Sequence, residues 1–88
     1  MATYRIEFTK PADKAFQALP RDVQRRVARK VDVLAVDPRP AGTKALQDVV
    51  PLTYRLRVGD YRVLYTVQDD VLLVLVVKVG NRREVYDR

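Results

Sequence analysis

Hydrophobic and polar residues alternate along two stretches of the chain, which is the pattern of β-strands with one buried face. The first stretch is short and covers residues 4–8. The second, TYRLRVGDYRVLYTV, covers residues 53–67 and holds two alternating segments on either side of Gly59-Asp60. A two-residue loop between alternating segments predicts a β-hairpin and determines which residues lie opposite each other.

The predicted hairpin register gathers arginines on one face of the sheet. Counting outward from the turn, Arg57 lies opposite Arg62, and Arg55 follows on the same face. Like charges that lie directly opposite each other in a sheet repel, so this arrangement needs a physical reason. The apolar residues of the other parity are assigned to the covered face: Leu56, Val58, Val63 and Tyr65.

Helical periodicity replaces alternation between these two stretches. Pro11 suits the first turn of a short helix, PADKAFQAL, with Thr9 as its cap. A second helix begins at Arg21 and ends before DPRP, residues 37–40, so that the two helices form an αα-hairpin. One side of the second helix is apolar, with Val23, Val27, Val31 and Leu34, and the other is basic, with Arg21, Arg25, Arg26, Arg29 and Lys30.

The remaining segments complete a two-layer α+β domain. Residues 43–51 favour either a turn of helix or a loop that leads into the sheet, whereas residues 71–79 are apolar on both faces up to Lys78 and predict a central strand. The order is then β-α-α-β-β-β in a single domain over residues 1–88, with the N-terminal strand and helical hairpin packed on a small, mainly antiparallel sheet. The other face of the sheet is partly open and carries the arginines.

Composition narrows the possible chemistry. The net charge of +6, from 17 basic and 11 acidic residues, suits an anionic partner. The chain lacks Cys, His and Ser, which excludes thiol and serine nucleophiles and the usual general base, and no metal or cofactor is implied. The longest apolar run, residues 71–77, is far shorter than the roughly 20 residues that span a bilayer. Residues 1–10 lack the apolar segment of a signal peptide, so we expect a soluble, cytoplasmic protein without membrane contact.

The arginine face favours an RNA ligand. Guanidinium groups match phosphate oxygens with forked donors, and Arg82 and Arg83 follow the central strand closely enough to join the cluster. Tyr86 adds an aromatic ring that suits a stacked, unpaired base. The alternative is a solvated face that binds nothing. For the basic side of the long helix, the alternatives are a solubilising surface and docking onto structured RNA or an acidic partner.

Two segments, YRLRVGDYRVLY and VLLVLVVKVGNRREVY, resemble the RelE-type toxins of bacterial type II toxin–antitoxin systems, in the RelE/ParE superfamily. The resemblance extends over nearly the whole chain and implies the RelE-like fold. It also implies a ribosome-dependent endonuclease that cleaves mRNA in the ribosomal A site, by attack of a ribose 2′-hydroxyl on the adjacent phosphate, and so inhibits translation. The implied partners are the ribosome, mRNA and a cognate acidic, RelB-like antitoxin, in a toxin–antitoxin hetero-oligomer.

The resemblance also implies roles for individual residues. The catalytic set is Arg55, Arg57, Arg62, Arg82 and Tyr86. Beyond that set, which alone follows from the resemblance, the candidates for RNA binding are Lys78, Asn81 and Arg83 and, on the long helix, Arg25, Arg26, Arg29 and Lys30. The alternative for Arg83 is an ion pair with Glu84 or with an antitoxin carboxylate. Arg55 and Arg62 are expected to supply positive charge to the phosphate. Arg82 would stabilise or protonate the leaving group, and Tyr86 would stack on a base or transfer a proton.

Two positions depart from the family pattern. Arg55 and Arg57 stand where some relatives carry lysine, and arginine cannot give up its proton to act as a base. Asn81 stands where many relatives carry histidine, and asparagine cannot shuttle a proton near neutral pH. Two alternatives to the nuclease therefore stay open: a ParE-type inhibitor of DNA gyrase, and a catalytically decayed module that binds RNA or antitoxin.

Overall fold

The computed structural model describes residues 3–81, which form two helices and one five-stranded sheet. The elements are β1 (Arg5–Phe8), α1 (Lys10–Gln17), α2 (Arg21–Leu34), β2 (Thr43–Ala45), β3 (Tyr54–Val58), β4 (Tyr61–Gln68) and β5 (Leu73–Asn81). The strands lie in the order β1-β5-β4-β3-β2, and only the β1–β5 pair of this sheet is parallel. Buried residues of both helices join those of the strands in one core, which confirms the predicted α+β architecture.

The helical hairpin forms for the reasons that its sequence indicates. The Thr9 side-chain oxygen accepts a hydrogen bond from the Ala12 amide at 3.3 Å and so caps α1. Pro11 lies in the first turn, where its missing amide hydrogen is not needed. The second helix, α2, buries its apolar side and leaves its arginines exposed. Its buried residues are Val23, Val27, Val31 and Leu34.

The strands β3 and β4 form the predicted hairpin in the predicted register, with Arg57 paired to Arg62. Gly59 has a φ of +59°, whereas Asp60 has no positive φ, a combination that matches a type II′ turn. The apolar residues assigned to the covered face are all buried: Leu56, Val58, Val63 and Tyr65. The arginines therefore lie on the face that points away from the helices.

The apolar run forms β5, an inner strand with β1 on one side and β4 on the other, whereas the middle strand of the sheet is β4. Its pairing with β4 shifts in the middle, and Val77 is the extra residue at that point. As a result Val76 and Val79, which strict alternation would place on opposite faces, are both buried. Lys78 lies opposite Leu64, on the side away from the helices.

A short strand, β2, occupies the beginning of the segment for which the sequence predicts a turn of helix or a loop. It pairs antiparallel with β3, and Leu46 donates a backbone hydrogen bond to the Thr53 carbonyl at 2.8 Å. Three residues between loops carry no readable periodicity, so the extended conformation is selected by the neighbouring edge of β3 and not by local preference. The observed order is β-α-α-β-β-β-β, which corrects the predicted order by one strand.

A polar network joins the loop after α2 to the turn between β4 and β5. Arg39 donates two hydrogen bonds to the Asp69 carboxylate, at 2.7 and 3.3 Å, and one to the Tyr54 hydroxyl at 3.0 Å. Tyr4 donates to the same carboxylate at 2.5 Å. We call these four side chains the Arg39–Asp69 network. It holds the DPRP segment against the sheet, at the end of the β3–β4 hairpin remote from its turn.

Candidate nucleic-acid interface

The sheet face that points away from the helices carries the predicted arginine cluster. Arg57 and Arg62 are paired across β3 and β4, and Arg55 lies two residues before Arg57 on the same face. Lys78 joins them from β5, because it lies opposite Leu64, which shares the face of Arg62. The structure thus brings together four of the residues that the sequence predicts to contact RNA. We call Arg55, Arg57, Arg62 and Lys78 the sheet-face cluster.

A fifth cation, Lys44, lies on this face, although the sequence alone does not indicate it. The pairing of β2 with β3 places Lys44 opposite Arg55, and its side chain is exposed. Recognising this residue requires knowing that residues 43–45 form a strand, since only the strand register assigns it to a face. A lysine in a presumed loop carries no such information.

The sheet face is only partly open, as expected. Arg57 and Lys78 are exposed, whereas Arg55 and Arg62 are half-buried. Leu64 has only 8% of its surface exposed although it lies on this face. It belongs to an inner strand and is flanked on both sides by long basic side chains, whose methylene stems can shield it. Half-buried guanidinium groups lose less conformational freedom when they bind an anion than fully exposed ones do.

A groove of about 940 Å³ lies between α2 and the edge of β3. The strand β2 pairs only with residues 54–56, so no strand within residues 3–81 lies beside Arg57 and Val58 on that edge. Six basic residues line the groove: Arg26, Arg29, Lys30, Lys44, Arg55 and Arg57. No acidic residue of the described part of the chain is among its lining. The basic side of α2 and the arginine face, which appear separate in the sequence, therefore form one continuous surface.

Arg26 lies at the end of the groove nearest the β3–β4 turn. Its Nη1 atom approaches Gly59 so closely that a Cβ at that position would be 3.3 Å away. Arg25 is also exposed on α2, but it does not line the groove. Of the four helix residues predicted to bind RNA, three are therefore brought together with the sheet, and Arg25 is not.

Other predicted residues lie elsewhere or outside the described residues. Asn81 pairs with Tyr61 at the end of β5, a register position that belongs to the helix side of the sheet. Arg82, Arg83 and Tyr86 fall outside the described residues, and their roles stay predictions. In the part that the structure describes, no group of His, Cys, Asp or Glu could hold a metal ion. No helix of that part is long and apolar enough to cross a membrane.

The hydrogen bonds of the Arg39–Asp69 network shift the pKa values of the groups that they join. The hydrogen bond from Arg39 lowers the pKa of Asp69, and the hydrogen bond to Asp69 raises the pKa of Tyr4. Burial is the main cause that raises the pKa of Tyr65, beside this network, to about 12. These groups connect parts of the fold to one another. The basic surface near Gly59 is the part of the molecule suited to an anionic ligand.

Comparisons with known proteins agree with this geometry. Residues 6–86 match the model of the family described as the ParE toxin of the type II toxin–antitoxin system, parDE. A protein of Escherichia coli described as a RelE-like toxin is 30% identical over 81 residues, which cover 90% of this chain and 83% of the relative. The structure also resembles the archaeal RelE–RelB complex from Pyrococcus horikoshii OT3, at 33% identity and a TM-score of 0.80, over 91% of this chain and 96% of that chain. It resembles the RelBE2 toxin–antitoxin complex from Mycobacterium tuberculosis as well, at 28% identity and a TM-score of 0.81, over 93% of this chain and 94% of that chain.

These matches define the class of protein as a toxin of a type II toxin–antitoxin system, in the RelE/ParE superfamily. Within that class, the chain belongs to the ParE toxin family, whose model covers nearly all of it. The resemblance and the RelE-like fold that the sequence predicts are thereby confirmed.

Proposed function

We propose that this toxin is a ribosome-dependent endonuclease that cleaves mRNA in the ribosomal A site and so inhibits translation in the cytoplasm. The observation that carries the proposal is the sheet-face cluster, which gathers four cations from three adjacent strands. Such a cluster suits a phosphodiester whose negative charge increases in the transition state. A merely solubilising face has no need of guanidinium groups directly opposite each other, where they repel.

In the proposed reaction, a ribose 2′-hydroxyl loses its proton and attacks the adjacent phosphorus. The new bond closes a 2′,3′-cyclic phosphate, the bond to the 5′-oxygen of the next nucleotide breaks, and that oxygen takes up a proton. Arg55 and Arg62 hold the non-bridging oxygens, and the half-burial of both side chains restricts their movement. Arg57 contributes charge only, because arginine does not act as a base. Proton transfer falls to Tyr86 or to water, with Arg82 at the leaving oxygen.

We further propose an acidic antitoxin as the partner of this toxin in a hetero-oligomer. Two of its structural relatives are complexes of a toxin with an antitoxin, from P. horikoshii and M. tuberculosis. The net charge of +6 and the basic surface supply the complementary charge for such a partner. Inhibition would follow if the antitoxin covered Arg62 and Arg82 or displaced the C-terminal segment that carries Tyr86.

Primer extension in a cell-free translation reaction tests the nuclease proposal. Purified toxin is added to a translated mRNA, with and without ribosomes. We expect cuts that require ribosomes and keep the codon register. Arg62→Ala should slow cleavage on the order of 100-fold, because it removes charge stabilisation from the transition state.

Arg21→Ala is the matched control for Arg62→Ala. Arg21 is exposed at the start of α2 and does not line the groove. The Arg21→Ala variant loses the same charge as Arg62→Ala and should cleave mRNA like the unmodified toxin. Cleavage that survives Arg62→Ala would show that the sheet-face cluster is not the catalytic site, and cleavage without ribosomes would contradict ribosome dependence.

Inhibition of DNA gyrase is the second candidate, and two observations favour it. The matching family is named for the ParE toxin, and the chain carries arginine and asparagine where a proton-transferring lysine or histidine would serve a nuclease. Intact mRNA together with normal translation and inhibited DNA supercoiling would establish this activity. Intact mRNA with blocked translation would instead identify a decayed toxin that binds without cutting.

A further inference from the structure

The groove between α2 and β3 extends the basic surface beyond the sheet-face cluster, and the proposed cleavage reaction does not account for it. We infer that this groove binds the sugar–phosphate backbone of single-stranded RNA next to the cleaved bond, with Lys44 joining the groove to the sheet face. The inference rests on the proposed function for the bond that is cut. The binding itself can be measured without any cleavage.

Three residues belong to both surfaces. Lys44, Arg55 and Arg57 lie on the sheet face by their register positions, and all three also line the groove. The path between the two surfaces passes round the edge of β3 beyond Leu56, where β2 begins at Thr43. At that point the chain turns away at Gly42, whose φ of +96° favours glycine. A strand of RNA held by the sheet face can therefore continue into the groove along cationic side chains.

The lining of the groove favours RNA over an acidic protein segment. Among the large apolar residues of its lining, Leu56 and Val58 are only 5% and 4% exposed, and Val33, at 47%, is the one open to solvent beside the six cations. Protein interfaces derive much of their affinity from a buried apolar centre, whereas a phosphate backbone requires mainly well-placed cations. A volume of about 940 Å³ falls in the size range of small-ligand sites, which suits a short segment of a single strand. A single strand is therefore the ligand class that we infer.

The binding test compares two double variants of the full chain that lose the same charge. Lys44→Ala with Arg29→Ala removes two cations from the groove and leaves Arg55, Arg57 and Arg62 in place. Lys10→Ala with Arg21→Ala removes two exposed cations at the starts of the helices, outside the groove. All four residues are exposed, so neither double variant disturbs the core.

The probe is a fluorescent single-stranded RNA of about 12 nucleotides, within the range of single-strand binding sites, and 2′-O-methyl groups prevent its cleavage. We expect the groove variant to lose about tenfold in affinity at about 0.1 M salt. The slope of log affinity against log salt concentration should decrease in magnitude by about 1.4, which is about 0.7 for each lost phosphate contact. The control variant should bind like the unmodified toxin. Equal losses in both variants would show a general charge effect and overturn the inference.

A second probe separates RNA from an acidic protein partner. If the groove variant keeps its RNA affinity but no longer binds a polyglutamate peptide, the groove serves an acidic protein and the inference is overturned. The ribosomal cleavage assay then distinguishes the two proposals. A toxin that binds RNA through the groove but never cuts mRNA keeps this inference and loses the proposed function. A toxin that cuts mRNA, while its groove variants bind RNA normally, keeps the proposed function and loses this inference.

Discussion

Tyr65 is fully buried, yet its hydroxyl donates a hydrogen bond to the Pro38 carbonyl at 2.7 Å, and its ring stacks on Tyr54 with 5.6 Å between centroids. Alternation along β4 predicts the burial of this residue. It does not predict the acceptor, which lies 27 residues earlier in the chain, in the DPRP segment. The same limit applies to Arg39 and Asp69, whose pairing depends on how the loop after α2 folds over the sheet.

Ionisation of Tyr65 should destabilise the protein at alkaline pH. Burial raises its pKa to about 12, so between pH 10 and 12 the unfolded chain loses this proton and the folded chain keeps it. The free energy of unfolding should therefore fall across that window, by up to about 3 kcal/mol. Urea unfolding at successive pH values measures this loss.

Tyr65→Phe is the variant that identifies the group. It should lower the stability at pH 7 by about 1–2 kcal/mol, because the buried Pro38 carbonyl loses its donor, and it should flatten the alkaline dependence. Tyr61→Phe, on the same strand and only half-buried, should retain the dependence. A steep alkaline loss that persists in Tyr65→Phe would assign the effect to another group.

Asp69 should make stability depend on acidic pH. The hydrogen bonds from Arg39 and Tyr4 lower the pKa of Asp69. Its contribution to folding stability is therefore present above the usual carboxyl pKa and is lost as the pH falls through the lowered pKa. Asp69→Asn should lower the Tm by a few degrees at pH 7, as expected for an exposed ion pair, and this difference should vanish in acid. Thermal unfolding from neutral to strongly acidic pH measures it. The neighbouring Asp70→Asn is the control, and an equal effect there would contradict a specific role of the network.

At the scale of elements, periodicity and turn chemistry predict both helices, the hairpin and the inner strand β5, because each carries its own local signal. The β2 strand and the shift at Val77 carry none. The first forms against the edge of β3, and the second is an irregularity that only the pairing of β4 with β5 reveals. Lys44 was missed for this reason, whereas Arg55, Arg57 and Arg62 could be assigned to a face from a two-residue loop alone.

Gly59→Ala tests the turn that sets this register. The φ of +59° disfavours any residue with a Cβ, and the new methyl group would also meet Arg26 Nη1 at 3.3 Å. The tip of Arg26 is flexible and can move, so backbone strain is the larger cost, and we expect a loss of about 1–2 kcal/mol in urea unfolding. Adding Arg26→Ala should relieve little of this loss. Asp60→Ala, at the exposed second position of the turn, should change stability by less than about 0.5 kcal/mol, and a comparable loss there would contradict the role of φ.

At the scale of the whole molecule, the fold joins two basic surfaces that lie far apart in the sequence. Arg26 and Arg29 come from α2, while Arg55 and Arg57 come from β3, and the groove connects them. The basic side of α2 alone does not exceed what a solubilising helix would show. Their continuity depends on the packing of α2 beside the edge of β3, which no local pattern encodes. The molecule therefore concentrates like charge where its proposed ligands bind.

Such concentration should cost stability that a ligand or salt recovers, and Arg57→Gln measures the cost. Arg57 lies directly opposite Arg62, and a like-charge pair in this position is unfavourable by roughly 0.2–1 kcal/mol. At low salt Arg57→Gln should therefore be more stable than the unmodified toxin in urea unfolding, and the gain should shrink at about 0.5 M NaCl, where screening is strong.

The Arg57→Gln variant should also bind RNA and cleave mRNA less well, which is the trade-off expected when a site is assembled for its ligand. Arg21→Gln removes the same charge away from the cluster and should gain less. If Arg57→Gln is instead less stable at low salt, the paired arginines are held by favourable contacts within the protein, and bound phosphate is not what compensates their repulsion.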